Sequence, residues 1–286
     1  MLKKFIVSKD YHNSRFDKWF KKNVSDVPQS LIEKFIRKKK VKINKKRIKT
    51  SYRVKLNDVV ELHRVDDLKS RNITKKQKYK PSDKEKIKYG KFIIENNDNF
   101  IVINKPSGIP VQSGTKSFKN IIDILKNTEY FESSKPFVVH RLDKETSGVM
   151  IVAKNREYAQ LLTSLFRIRK IHKTYLAITH GAVNKDIKLL QDNLVTYEGN
   201  KKLVQKAISH LRILKTNSSY SFLELKPITG RKHQLRKQLY NIGNPVVGDE
   251  KYSFSQVKRK FKIKYLMLHA YKIKFMINNV KYNFEA

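Results

Sequence analysis

The chain has 286 residues and no cysteine, which excludes disulfides, thiolate metal sites and cysteine nucleophiles, and its length suits a small module plus a larger domain better than one core. Its 64 Lys and Arg against 25 Asp and Glu leave a formal charge of +39, a self-repulsion that a polyanion such as nucleic acid relieves. No apolar stretch approaches the roughly 18 residues of a membrane span, and the apolar run at Phe5-Ile6-Val7 is too short for a signal peptide, so a cytoplasmic protein with no membrane partner is expected.

Residues 1–90 carry 29 basic and 10 acidic side chains, a net +19 that is nearly half of the total on less than a third of the chain. Lysine outnumbers arginine by 50 to 14 and asparagine is abundant, so part of the excess reflects composition rather than function. Phe16, Trp19 and Phe20 recur at helical spacing, and after Pro28 a second helix places Leu31, Ile32, Phe35 and Ile36 on one face. Its polar face holds Lys34, Arg37, Lys38 and Lys39, and the alternation Val41-Lys42-Ile43-Asn44 then leads to a turn at Lys45-Lys46-Arg47. A charge run is usually a solvated face. Two consecutive elements basic on their exposed side favour phosphate binding instead.

Arg64 to Lys88 is polar, with Tyr79 its only aromatic and no sustained periodicity, which predicts a flexible linker over 64–90 between domains at 1–63 and 91–286. Beyond it, Phe92-Ile93-Ile94, Phe100-Ile101-Val102-Ile103, Val149-Met150-Ile151-Val152 and Ser221-Phe222-Leu223-Glu224-Leu225 are β-type runs broken by Asn, Gly and Pro. Helical patterns near Arg156–Phe166 and Lys232–Tyr240 interrupt them. The fold class is therefore α+β, with a mixed or antiparallel sheet in the larger domain.

Asp143 lies in a loop between Phe137-Val138-Val139 and the run starting at Val149; composition alone favours a turn-forming aspartate there. Arg231 is expected to open a helix whose apolar face is Leu235, Leu239 and Ile242, which turns its guanidinium inward. An inward cation at a helix start opposes the macrodipole and needs a carboxylate partner, which a nearby aspartate would supply; the alternative is that the Arg231 side chain snorkels out to solvent. Tyr175 sits in a strand-like run with Lys173 and Ala177 on its face and by itself signals nothing. His140, His172 and His233 show no ligand spacing, so no metal is expected.

The stretch His140-Arg141-Leu142-Asp143-Lys144-Glu145-Thr146-Ser147-Gly148, continuing through Lys154, resembles the signature around the catalytic aspartate of the RluA-type pseudouridine synthases, stand-alone enzymes that modify ribosomal and some transfer RNAs. Asn104-Lys105-Pro106-Ser107-Gly108, Lys173-Thr174-Tyr175-Leu176-Ala177 and Thr229-Gly230-Arg231-Lys232-His233-Gln234-Leu235-Arg236 match three further blocks in the family's order, over about residues 92–286. Residues 14–62, from Arg15-Phe16-Asp17-Lys18 to Asp58-Val59-Val60-Glu61-Leu62, resemble the S4-type RNA-binding module that commonly precedes this domain. Lys232, Ser253 after Tyr252, and Gly248-Asp249 depart from the usual pattern of the most similar subtype, and the family usually continues past Ala286 with a short proline-containing tail.

The resemblance implies isomerisation of uridine to pseudouridine, with Asp143 as catalytic carboxylate, Arg231 paired to it, Tyr175 stacked on the uracil and Arg141 filling the vacated stack. Attack at C1′, attack at C6 and removal of a 2′ proton all need the same oriented carboxylate. It further implies large-subunit ribosomal RNA as partner, read by Arg15, Lys34, Arg37, Lys38, Lys39, Lys45, Lys46 and Arg47, and a monomer without cofactor. The C-type enzymes are the nearest subtype, with a D-like specificity the alternative. A non-catalytic RNA-binding assembly factor is the competing class; intact Asp143, Tyr175 and Arg231 argue against it.

Overall fold

A computed structural model describes residues 2–63, 79–113, 119–198, 201–255, 263 and 265–286. The chain divides into two compact units, Met1–Gln77 and Lys78–Ala286.

In the first unit β1 (Leu2–Ile6), β2 (Ser14–Arg15), α1 (Phe16–Asn23), α2 (Gln29–Arg37), β3 (Val41–Ile43), β4 (Lys46–Arg47), β5 (Arg53–Val54) and β6 (Val59–His63) follow one another. The sheet order is β1-β6-β3-β4, and β2 pairs separately with β5. Phe16, Trp19 and Phe20 on α1 and Ile32 and Phe35 on α2 are buried against Val41, Ile43, Val60 and Leu62, as the helical and alternating patterns predict. The β3–β4 turn falls at Asn44 and Lys45 rather than Lys45-Lys46-Arg47. Both central residues have positive φ, 49° and 64°, the backbone a two-residue hairpin turn requires and asparagine tolerates. Asp58 locks the neighbouring loop, accepting from Asn44 Nδ2 at 2.8 Å, Tyr52 Oη at 2.9 Å and the Lys55 amide at 2.8 Å.

The expected linker is corrected in its second half. Residues 64–78 lie outside the described residues, but α3 (Asp83–Gly90) is a helix. Ser82 and Glu85 form a capping box at its start, and Glu85 also accepts from Tyr79 Oη at 2.5 Å and from Lys119. Capping supplies what a weak apolar pattern does not.

The second unit continues with β7 (Ile93–Asn96), β8 (Phe100–Lys105), α4 (Ile121–Leu125), β9 (Phe137–Val138), β10 (Ser147–Ala153), α5 (Arg156–Arg167), β11 (His172–His180), β12 (Leu189–Glu198), β13 (Lys201–Thr216), β14 (Tyr220–Pro227), α6 (Gln234–Asn241), β15 (Leu268–Ile277) and β16 (Val280–Glu285). Its sheet runs β12-β13-β14-β11-β15-β10-β8-β7, with β16 beside β15 and β9 beside β10. The pairings are antiparallel except β10 with β15, where Ser147 and Gly148 run parallel to His269 and Ala270. That short junction brings β10, which follows the Asp143 loop, beside β15, whose other neighbour is β11. Gly148 permits it: its φ is +111°, and a Cβ there would stand 2.2 Å from the Ala270 carbonyl oxygen.

Both faces of the sheet's centre are covered. Ile101, Ile103, Met150 and Val152 pack toward α4, and Phe100, Val102, Val149 and Ile151 toward Leu162 of α5. The strand residues thus read as continuous apolar runs rather than alternating ones.

Candidate active site

The loop between β9 and β10 is mounted from below. Leu142 is buried while Arg141 is exposed, so the backbone turns Asp143 toward a cavity of about 610 Å³. The Thr146 amide donates to the Asp143 carbonyl at 3.2 Å, closing a turn. Beneath it, the buried Lys105 ammonium donates to the carbonyls of Pro106 at 2.8 Å, Ile109 at 2.9 Å and Lys144 at 3.1 Å. Ser107 Oγ donates to the Glu145 carbonyl at 2.6 Å, and the Gly108 amide to the Lys144 carbonyl at 3.0 Å. Desolvation is the main influence on Lys105 and lowers its pKa to about 8, against opposing attraction from Glu145 and Asp143.

Asp143, its side chain 26% exposed, faces two basic groups: His233 Nε2 lies 3.6 Å from Oδ1 and Arg236 Nη1 lies 3.7 Å from Oδ2. Neither distance is a hydrogen bond. Among the described residues neither oxygen accepts a hydrogen bond, so the charge of Arg236 orients the carboxylate while its lone pairs stay available.

Arg236 is 8% exposed and is fixed by Asp249, whose side chain is 0% exposed: Nε donates to Oδ2 at 2.6 Å and Nη2 to Oδ1 at 2.7 Å. Burial alone would raise the Asp249 pKa, but the Arg236 bonds and the amides of Tyr252 and Lys251 outweigh it and hold the carboxyl below its ordinary value. The guanidinium also lies 5.2 Å from the Tyr252 ring centroid, and Tyr252 Oη is hydrogen-bonded to His233 Nδ1 at 2.9 Å. Desolvation, with the cations Arg236, Lys251 and Lys232, outweighs the pull of Asp143 and lowers the His233 pKa, favouring the neutral ring.

The start of α6 is set by a polar network against β13. Gln234 Oε1 accepts from Thr229 Oγ1 at 2.7 Å and from the Arg231 amide at 3.0 Å, while its Nε2 donates to the Ile208 carbonyl at 3.1 Å and to Ser209 Oγ at 2.9 Å. Gln238 continues it, accepting from Ser209 Oγ at 2.7 Å and donating to the carbonyls of Leu190 and Ala207. Two buried amides thus hold the turn that presents His233 and Arg236.

The expected partner of Asp143 is therefore corrected. Arg231 lines the cavity, but its Nε donates to the Lys206 carbonyl at 3.2 Å, and the arginine beside Asp143 is Arg236. Helical spacing from 231 has no meaning here, because α6 begins at Gln234 and His233 before it is left-handed, with φ +54°. Tyr175 lies on β11 facing the same cavity; burial first, then the proximity of Asp143, raises its pKa and keeps the phenol protonated. His140 is stacked on Phe166 with centroids 4.4 Å apart and accepts from the Ile151 amide at 2.9 Å; burial, and secondarily Lys173, lower its pKa to about 3.

Of the basic residues singled out in the first unit, Lys34, Arg37, Lys38, Lys39, Lys45, Lys46 and Arg47 are exposed. Arg15 is exposed too but already engaged, with Nε and Nη2 donating to Asp17 at 3.0 and 3.3 Å. Arg236, His233, Asp249 and Tyr252 were not singled out as site residues by sequence reasoning. The interval of 13 residues between Arg236 and Asp249 has no periodic signature.

A family model described as RNA pseudouridylate synthase matches residues 99–241, and an S4 domain model matches residues 25–60. The chain is 32% identical over 281 residues to the ribosomal large subunit pseudouridine synthase C of Buchnera aphidicola subsp. Baizongia pistaciae (strain Bp), covering 94% of this chain and 88% of that protein. It is 34% identical over 272 residues to the protein of the same name from Rickettsia felis (strain ATCC VR-1525 / URRWXCal2), covering 90% and 87%. Among solved structures, human RNA pseudouridylate synthase domain containing 4 superposes with a TM-score of 0.59 at 26% identity, over 71% of this chain and 92% of that one.

Proposed function

The chain belongs to the RNA pseudouridylate synthase family, with an S4 domain ahead of its catalytic domain, and from that premise we propose that Asp143 is the carboxylate with which it isomerises uridines of large-subunit ribosomal RNA to pseudouridine. The reaction breaks the N1–C1′ bond, turns the uracil, forms the C5–C1′ bond and returns a proton from C5 to N1. Composition and oxidation state are unchanged, so the reading asks for no cofactor. The C-type specificity of the bacterial relatives is carried over with it, as are a monomer and a place in the cytoplasm.

The observation that carries the reading is the Asp143 carboxylate, aimed into a cavity and steered by an arginine that Asp249 holds through Nε and Nη2. A uridine must leave its stack to reach such a cavity, at a cost of a few kcal/mol that is smallest in loops and bulges. Tyr175, held as a neutral phenol, offers a ring face to the uracil, and exposed Arg141 at the cavity edge can occupy the gap left in the RNA. Neutral His233 walls the carboxylate without bringing a second full charge to it. In the S4 unit, the basic residues of α2 and of the β3–β4 hairpin supply phosphate contacts that carry no base readout of their own.

Asp143→Asn keeps shape and removes the charge. With unmodified large-subunit ribosomal RNA transcript as substrate, chemical mapping is expected to find no pseudouridine, while RNA affinity stays within a few-fold. Turnover by this variant would refute the assignment.

A further inference from the structure

Beside the cavity that holds Asp143 lies a second one of about 560 Å³. The two share Arg169, Ile171, Lys173, Pro227 and Ile228, which form a saddle between them. Three of these residues are apolar and two are cationic, the surface chemistry that an unstacked nucleotide, with an apolar ring and an anionic phosphodiester, presents in complement.

The two cations are uncommitted. Among the described residues neither the Arg169 guanidinium nor the Lys173 ammonium has a hydrogen-bond or ion-pair partner. Burial lowers the Lys173 pKa with no carboxylate opposing it. The carboxylate of the second cavity is not available to them: Glu224 accepts from Arg212 at 3.1 and 3.0 Å and pairs with Lys226 at 3.0 Å. Lys272, in the same wall, is taken by Glu285.

Arg169 is also held at a backbone position that glycine would occupy more cheaply. It follows the C-cap of α5 with φ +61°, where the Lys170 amide donates to Leu165 O at 2.9 Å and the Arg169 amide to Phe166 O at 3.2 Å. Of the nine described non-glycine residues with left-handed backbone, five are asparagine. The other four are Lys39, Lys45, Arg169 and His233, which lie on the basic elements of the S4 unit or at the catalytic cavity. Strain retained for a particular side chain points to a use for that side chain.

We propose that this saddle seats the nucleotide adjoining the target uridine, with Arg169 and Lys173 gripping one phosphodiester and Ile171, Pro227 and Ile228 carrying the sugar and base. The proposal rests on the uridine-isomerising reading, since it places the neighbour by reference to the nucleotide in the Asp143 cavity. It assigns the second cavity to the onward path of the strand.

The test uses the full chain and unmodified large-subunit ribosomal RNA transcript, with affinity measured between about 50 and 200 mM salt. Arg169→Gly removes the side chain and relieves the backbone, so its unfolding midpoint should equal or exceed that of the parent. Lys173→Met keeps the apolar stem. The double variant is expected to bind about tenfold more weakly and to lower the slope of log affinity against log salt by about 1, the count for one phosphate. Lys185→Ala, an exposed lysine lining neither cavity, should leave the slope unchanged. An unmoved slope overturns the saddle, and a fall of about 2 overturns the shared phosphate. Absence of pseudouridine with the unaltered chain would instead defeat the parent reading, which the binding measurement does not depend on.

Discussion

Removing both sides of the Arg236–Asp249 pair should cost clearly less than the two single losses added together. Arg236→Met leaves a carboxylate with no exposed side-chain surface and no cation, and Asp249→Leu strands a guanidinium that is 8% exposed. Breaking a buried pair from one side costs about 3–5 kcal/mol. Asp249→Leu also orphans the Lys251 and Tyr252 amides, which places it toward the upper end. The double variant removes both charges and refills the volume with apolar atoms, so its loss should fall short of the sum of the singles by at least about 2 kcal/mol. The only tryptophan, Trp19, belongs to the other unit, so unfolding in urea is followed by hydrogen exchange of the ten-stranded sheet rather than by tryptophan fluorescence. All three variants should lose turnover, because Asp143 is steered only while Arg236 is present and fixed. Additive stabilities, or a double variant that still makes pseudouridine, would refute the argument.

Other outcomes follow from single positions. Gly148→Ala places a methyl 2.2 Å from the Ala270 carbonyl at φ +111° and should cost about 3 kcal/mol or more in urea unfolding. Gly108→Ala, with φ +83° and nothing within 4 Å, should cost only about 1–2 kcal/mol, and equal losses would undo the distinction. His140, with a folded pKa of about 3 against an ordinary 6.5, binds fewer protons folded than unfolded between those values. Its contribution to stability is present above pH 6.5 and is lost as pH falls toward 3, at up to about 1.4 kcal/mol per pH unit. His140→Gln, whose amide oxygen can still accept from Ile151, should flatten that acid limb; an unchanged limb would count against a neutral buried imidazole.

Much of this architecture is legible before any coordinates. The runs at Phe100–Ile103 and Val149–Val152 are strands because β-branched and aromatic residues buried on both faces leave no other economical conformation. Asp143, Tyr175 and Arg141, the residues that the motif resemblance selects, line one cavity. Arg231 is not in phase with α6 because the left-handed backbone of His233 resets the helical register between them. The glutamines that set α6 carry no readable signal: Gln234 and Gln238 are buried because strand carbonyls and Ser209 satisfy them, a fact of tertiary contact. Helix α3 was readable in the Ser82–Glu85 spacing, although its apolar pattern is faint.

Lys105 gives the site a property that its burial at the end of β8 does not suggest. Three carbonyl oxygens converge on its ammonium at 2.8, 2.9 and 3.1 Å, the arrangement with which loops elsewhere enclose an alkali cation. Here the cation is covalently part of β8. The scaffold under the Asp143 loop therefore cannot be stripped by chelators or exchanged with the ions that accompany RNA. A protein that works within a dense cloud of counterions keeps its own under the loop, where competition for the polyanion cannot draw it away.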